Sequence, residues 1–344
     1  MPAMQRFRAL TGLACLRASR AFTAAASPLL SLEHVNLNVP AWTPALEKFW
    51  FEAMGLARDP RTTAIVNNTI SAGGSMKGLV WANIGLQQVH MPVGEQEDST
   101  QQVRGTVGLA FDDLGSLRER LHGHGVDFEE DDGGAVAQWF GPGLRVQSPT
   151  GVKLRVHGGG AGGSRRLFGP AEAESGGVAL PGGPTLGVGM PYVELLCGLG
   201  AAAGICRFYR ETLGVHAELA DGACRVPIRH QFLLFRETAS ELPAYDGHHV
   251  AIYVGDISRE DTSTTFSAMY EKCRAAELVF NNPRFPHLRY DTLEDAKRLG
   301  EFRILDLIDP ESGKVAYTLE HEIRSLEHPG FSCRSLLKQG KGEL

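Results

Sequence analysis

Histidine and carboxylate side chains on strands are the groups in this chain suited to hold a cation or move a proton near neutral pH. His34 stands in Ser31-Leu-Glu-His-Val-Asn-Leu-Asn-Val39, a short run of alternating apolar and polar residues. Gln88 and His90 lie two apart in an extended run, so both face the same way. His248 and His249 are adjacent at the head of another apolar run, so they point to opposite faces. Glu320 and Glu322 lie near the end of a further strand. Each position also has a plainer reading. His34 is then a polar residue at a strand start, His90 a surface histidine before Pro92, and Glu320 part of a charged strand end pairing with Arg324.

The elements that must position these residues repeat along the chain. After the His34 run comes an amphipathic segment, Ala45-Leu-Glu-Lys-Phe-Trp-Phe-Glu-Ala-Met-Gly-Leu56. The same order returns at Pro191-Tyr-Val-Glu-Leu-Leu-Cys197 and Cys206-Arg-Phe-Tyr-Arg-Glu-Thr-Leu-Gly-Val215, with identical spacing from Phe49-Trp50 to Gly55 and from Phe208-Tyr209 to Gly214. A unit that recurs about one domain length later marks internal duplication. The first unit ends in a hairpin of Gly78–Gly85 and Leu86–Met91. A second opens at Gly105, has a helix over Leu114–Leu121 and closes on two short strands about a Pro-Thr-Gly turn. A third runs from about Met190 to Thr238. The fourth has a strand at His248–Val254, a helix from Thr264 to about Leu278, an insertion at Asn281–Gly300 with Pro283 and Pro286, and a closing strand pair.

The 344 residues are more than one compact core needs. A net charge of −6 leaves no footprint for nucleic acid, and no stretch approaches the roughly 20 apolar residues that span a bilayer. Residues 1–30 carry Arg6, Arg8, Arg17 and Arg20 with no acid, the composition of an organelle-targeting peptide. The expected destination is the mitochondrion, with the chloroplast as alternative. Residues 158–187, rich in Gly and Pro, read as a flexible linker. The six cysteines show no paired spacing and read as reduced, mostly buried thiols of an intracellular protein.

Four βαβββ-like units resemble the vicinal oxygen chelate superfamily, which includes glyoxalase I, extradiol dioxygenases and bleomycin-resistance proteins. The telling parts are His-Val-Asn-Leu-Asn-Val, the two aromatic-to-glycine helices, and the turns Ser148-Pro-Thr-Gly-Val-Lys-Leu154 and Asp309-Pro-Glu-Ser-Gly-Lys-Val315. The resemblance implies an α+β fold, its four modules paired into two glyoxalase-like open-barrel domains, at 31–157 and 188–325, with a C-terminal tail at 326–344. It also implies a divalent ion (Zn, Ni, Fe, Mn or Co) held by residues of first and last module strands, with open positions for substrate oxygens. Here those positions carry His34, Gln88 or His90, Thr106, Arg155, Tyr192, an apolar residue near Leu233, and His249. Counting from Gly313 places the eighth on Tyr317, and Glu320 and Glu322 enter only if the strand is bulged or the turn longer. Pairing module one with module four collects the set His34, His90, His249 and Glu320. If the cleft lies instead in the second domain, the hydroxyls of Tyr192 and Tyr317 face it and serve as proton donor or substrate anchor.

Two functions are open on this reading. One is a metal-dependent lyase, isomerase or dioxygenase acting on a small carbonyl or diol substrate, as a monomer with two domains or as a homodimer. The other is a metal-free member that binds a small molecule or a protein partner without catalysis. Thr106, Arg155, Tyr192 and Leu233 favour the second. The retained histidines tip the reading toward the enzyme.

Overall fold

The protein was analysed as a computed structural model, which describes residues 27–71, 77–94, 100–158, 185–255 and 263–330. The expected targeting peptide, linker and tail fall mostly outside them, as do Cys15 and Cys333. The other four cysteines are buried free thiols.

Module one comprises β1 (Leu29–Asn36), a short helix (Pro44–Glu47) continued by a π turn (Lys48–Ala53), β2 (Ala57–Arg58), β3 (Gly78–Ile84) and β4 (Gln87–Val93). Module two has β5 (Gly105–Phe111), a helix (Leu114–Gly123), β6 (Phe128–Asp131), β7 (Gly143–Gln147) and β8 (Lys153–Gly158). Module three has β9 (Gly187–Gly198), a helix (Ala201–Arg207) continued by a π turn (Phe208–Thr212), β10 (Glu218–Ala220), β11 (Ala223–Ile228) and β12 (Gln231–Thr238). Module four has β13 (His249–Val254), helices Ser263–Ala275 and Leu293–Leu299, β14 (Glu301–Ile308) and β15 (Val315–Ser325).

The aromatic-to-glycine repeat has a local cause. In both helices the last turn widens, so that Met54 N–H bonds Phe49 C=O and Leu213 N–H bonds Phe208 C=O. Gly55 (φ 65°) and Gly214 (φ 70°) then take the left-handed conformation, and Leu56 and Val215 bond back to Trp50 and Tyr209. Phe49, Trp50, Phe208 and Tyr209 are all turned into one continuous apolar core.

The mixed α+β architecture of two open sheets is as expected, but the sheets do not pair module one with two and module three with four. The seven-stranded sheet runs β14-β15-β13-β1-β4-β3-β2, and the eight-stranded sheet β10-β11-β12-β9-β5-β8-β7-β6. Modules one and four therefore share one sheet, joined by the antiparallel pair β1–β13. Modules two and three share the other, joined by β5–β9. The segments 31–157 and 188–325 each give one module to each sheet.

Candidate metal centre

The register of the seven-stranded sheet brings its chemistry into two adjacent rows. Gln88, His34, Ala251 and Glu322 lie side by side, and beside them His90, Asn36, His249 and Glu320. Residues opposite one another across strands share a face. His34 Nε2 lies 3.5 Å from His249 Nε2 and 4.0 Å from Glu322 Oε2, and His249 Nε2 lies 3.3 Å from the same oxygen. A triangle with these sides has a circumradius of about 2.1 Å, the length of a zinc–nitrogen or zinc–oxygen bond. The three side chains are 1–3% exposed, and Ala251, between His34 and Glu322, is small enough to leave the centre of the row open.

Two irregularities in the strands create this geometry. A bulge in β1 between Leu32 and His34 turns Glu33 and His34 to the same side. Glu33 Oε2 lies 2.8 Å from His34 Nδ1, which orients the ring and leaves Nε2 toward Glu322. The β14–β15 ladder shifts register twice, between Ile304 and Asp306 and between Leu307 and Ile308. The count from Gly313 is thereby displaced, and Tyr317 falls outside the cluster.

Charge and burial agree with this arrangement. Burial lowers the pKa of His34, and that of His249 to about 4, so both rings are neutral and able to coordinate. Burial alone would raise Glu322, but Arg303 and Arg324 hold it well below the usual carboxylate range. Among the described residues, the buried Glu33, Glu301, Glu320 and Glu322 pair with two guanidinium groups, Arg303 and Arg324, with His328 3.3 Å from Glu301, so the carboxylates outnumber the arginines by two. A divalent cation bound there would offset that excess. Glu301, Glu322 and His328 form a second grouping of possible ligands, but the Arg324 guanidinium already lies between Glu322 and Glu301.

The expected ligand set changes in two members. Glu322 takes the place of Glu320, whose carboxylate is held by Arg303 at 2.5 Å and Asn282 at 2.8 Å. His90 is outside the triangle. Its ring stacks on His34 at 3.6 Å and on Trp81 at 4.1 Å, and its Nε2 lies 2.8 Å from Gln88 Oε1. Gln88 is in turn held by Asp59 and Asn83. Burial, with His34 and Arg324 nearby, lowers His90 well below its ordinary pKa.

Neither tyrosine is brought to the triangle. Tyr192 pairs with His157 Nε2 at 2.7 Å and stacks on Phe232 and Phe140 in the eight-stranded sheet. Tyr317 packs on Phe235, with the Arg104 guanidinium 4.4 Å from its ring centre. In the eight-stranded sheet the equivalent ligand positions hold a different chemistry. Arg155 pairs with Asp131 at 2.5 Å, Arg236 pairs with Glu194 at 2.7 Å, and Phe140 fills the space over Tyr192. An open cavity of about 470 Å³ remains at the Thr106–Arg155 edge.

Glu33 and Arg303 carry no motif in the sequence, Arg324 reads there only as a partner of Glu320, and Glu322 reads as an alternative to Glu320.

These features define a vicinal oxygen chelate fold with a candidate two-histidine, one-carboxylate centre. A "putative dioxygenase" from Bacillus subtilis shares the fold, with a TM-score of 0.51 at 14% identity over 93% of this chain and 92% of that one. A glyoxalase I variant from Zea mays is similar with a TM-score of 0.47 at 13% identity, covering 89% of this chain and 96% of that one. The 2,3-dioxygenase LapB from Pseudomonas sp. KL28 gives a TM-score of 0.28 at 13% identity, over 86% and 92% of the two chains. No protein-family model matches the sequence, and no curated protein does.

Proposed function

We propose that this chain is a metal-dependent enzyme whose divalent ion is held by His34, His249 and Glu322 and whose substrate is a small oxygen-rich molecule. The triangle of Nε2, Nε2 and Oε2, with its centre about 2.1 Å from each atom, carries the reading. Two histidines and one carboxylate leave coordination positions open, the pattern of non-haem Fe(II) oxygenases, so we favour a dioxygenase acting on a vicinal diol over a lyase or isomerase. When bound, the ion would polarise substrate oxygens as a Lewis acid. The protein's own share is distinct. Glu33 fixes the His34 ring, and Arg303 and Arg324 keep Glu322 ionised. His90, stacked on His34 and bonded through Nε2 to Gln88 Oε1, holds the plane of the His34 ring.

One observation favours the metal-free alternative. Arg303 Nη2 already donates to Glu322 Oε2 at 2.5 Å, so the carboxylate has a cation beside it without any metal. Elemental analysis of purified protein separates the two. About one equivalent of metal in the wild type, lost in His249→Ala, is expected. No stoichiometric metal in the wild type, even after anaerobic Fe(II) loading, would leave the binding-protein reading. With metal present, oxygen consumption on a catechol panel distinguishes dioxygenase from isomerase chemistry.

A further inference from the structure

The centre is closed off from solvent, with His34, His249 and Glu322 between 1% and 3% exposed. A substrate that reaches open coordination positions needs a way in. The stretch from Asn281 to Tyr290, between the two helices of module four, is not part of either sheet and touches Glu320, the cross-strand neighbour of His249, and Arg303, the partner of Glu322.

Its neck is firm. Val279 forms a bridge to Ile304, and Phe280 N–H donates to Arg303 C=O at 2.7 Å. Asn281 Oδ1 accepts from Tyr290 N–H at 2.8 Å, closing the loop across its base, and the buried Tyr290 hydroxyl donates to Glu301. Its tip is lightly held. Among the described residues, the backbone hydrogen bonds of 282–289 are the internal ones from Phe285 to Asn282 and from Leu288 to Phe285. What ties the tip down is side chains, among them Leu288, which packs against the apolar core. Asn282 Nδ2 donates to Glu320 at 2.8 Å, Arg284 donates to Asn38 at 3.2 Å and to Gly247 C=O at 3.5 Å, and Phe285 lies over the Arg303 guanidinium at 5.2 Å. These contacts reach both modules that supply the centre. Pro283 and Pro286 stiffen the tip, so it moves as a piece about its neck.

We infer that 281–290 is a gate over the metal-binding cleft, hinged at Asn281 and Tyr290 and latched by Asn282 to Glu320 and by Arg284 to Asn38. This rests on the reading of His34, His249 and Glu322 as ligands. The gate admits substrate and, when shut, keeps water from the open coordination positions.

Co(II) is the probe, because its visible spectrum reports occupancy without turnover. The full chain is loaded with Co(II), and its removal by excess EDTA is followed in the wild type, in Arg284→Gln and in Asn282→Ser. Arg284 is partly exposed, so its replacement leaves the core intact, and a thermal melt of each variant checks the fold. Removal at least about 10-fold faster in both variants, with Co(II) affinity within about threefold of wild type, is expected. Failure of the wild type to bind Co(II) overturns the ligand assignment, and the gate with it. Binding with wild-type removal rates in both folded variants overturns the gate alone.

Discussion

Glu33 and His34 are consecutive residues of one strand, yet their side chains meet, with Glu33 Oε2 2.8 Å from His34 Nδ1. A regular strand forbids this, because neighbours point to opposite faces. The bulge in β1 permits it, and the result is a carboxylate that sets both the tautomer and the aim of the ring. Glu33→Gln keeps the shape and removes the charge. Metal affinity, measured by competition with a chromophoric chelator, is expected to fall about 10- to 100-fold.

Glu320 and Glu322 are two apart on β15, but only Glu322 Oε2 lies within reach of both histidines. Glu322→Gln is expected to abolish stoichiometric Co(II) binding. Glu320→Gln, which alters a partner of Arg303 and Asn282, is expected to keep it. The reverse result in folded proteins would reassign the ligand.

Ala251 lies between His34 and Glu322 in the cross-strand row. A larger side chain there projects toward the middle of the triangle. Ala251→Leu is therefore expected to block metal binding and, because its added carbons overpack a buried site, to cost about 1–3 kcal/mol of stability. Co(II) titration with a parallel melt tests this.

His321 and His157 give the pH dependence away from the centre. Burial lowers each to about 4. The imidazole of His321 is held between Leu319 C=O and the Tyr209 hydroxyl, and that of His157 lies against Tyr192. Both stay neutral in the fold and take up a proton on unfolding below pH 6.5. Stability is thus fully present above about pH 6.5 and falls as the pH drops toward 4, by about 1.4 kcal/mol per pH unit per histidine. Urea unfolding of the metal-free protein at a series of pH values checks the slope, and His321→Gln is expected to reduce it.

Tyr192 and Tyr317 belong to the packing of the other sheet and of the space between sheets. Tyr192→Phe and Tyr317→Phe are expected to leave metal affinity unchanged. The first is expected to cost about 1 kcal/mol of stability, through the lost hydrogen bond to His157. A fall in metal affinity in either variant would place its hydroxyl in the centre after all.

Much of the fold was legible because each module carries local signals: the wide-turn helix with its left-handed glycine, the hairpin glycine Gly85 (φ 58°), and the turn glycine Gly313 (φ 66°). His34 and His249 were legible for the same reason, as first-strand residues of recognisable modules. The partners were not. Which module a strand edge chooses depends on contacts far apart in sequence, and alternation says nothing of it. Register irregularities hid the rest. They moved the carboxylate position past Tyr317 and Glu320 to Glu322, and brought Glu33 to a face that period-two reading denies it. His90 lay on the right face, and only coordinates show that its ring is spent on stacking.

The outer pairing of modules one and four has a consequence for how the molecule comes into being. His34 and His249 are 215 positions apart, and between them lie β2, β3 and β4 of their own sheet and then every strand of the inner sheet. The modules close like nested brackets, the inner pair complete before the outer pair can be. A chain emerging from synthesis therefore exposes His34 long before His249 and Glu322 can come beside it. Because closure entropy grows only logarithmically with the enclosed length, the wide outer bracket costs little more than a narrow one. Pulse-labelled hydrogen exchange during refolding is expected to protect β5 and β9 before β1 and β13, and simultaneous protection would argue against this order.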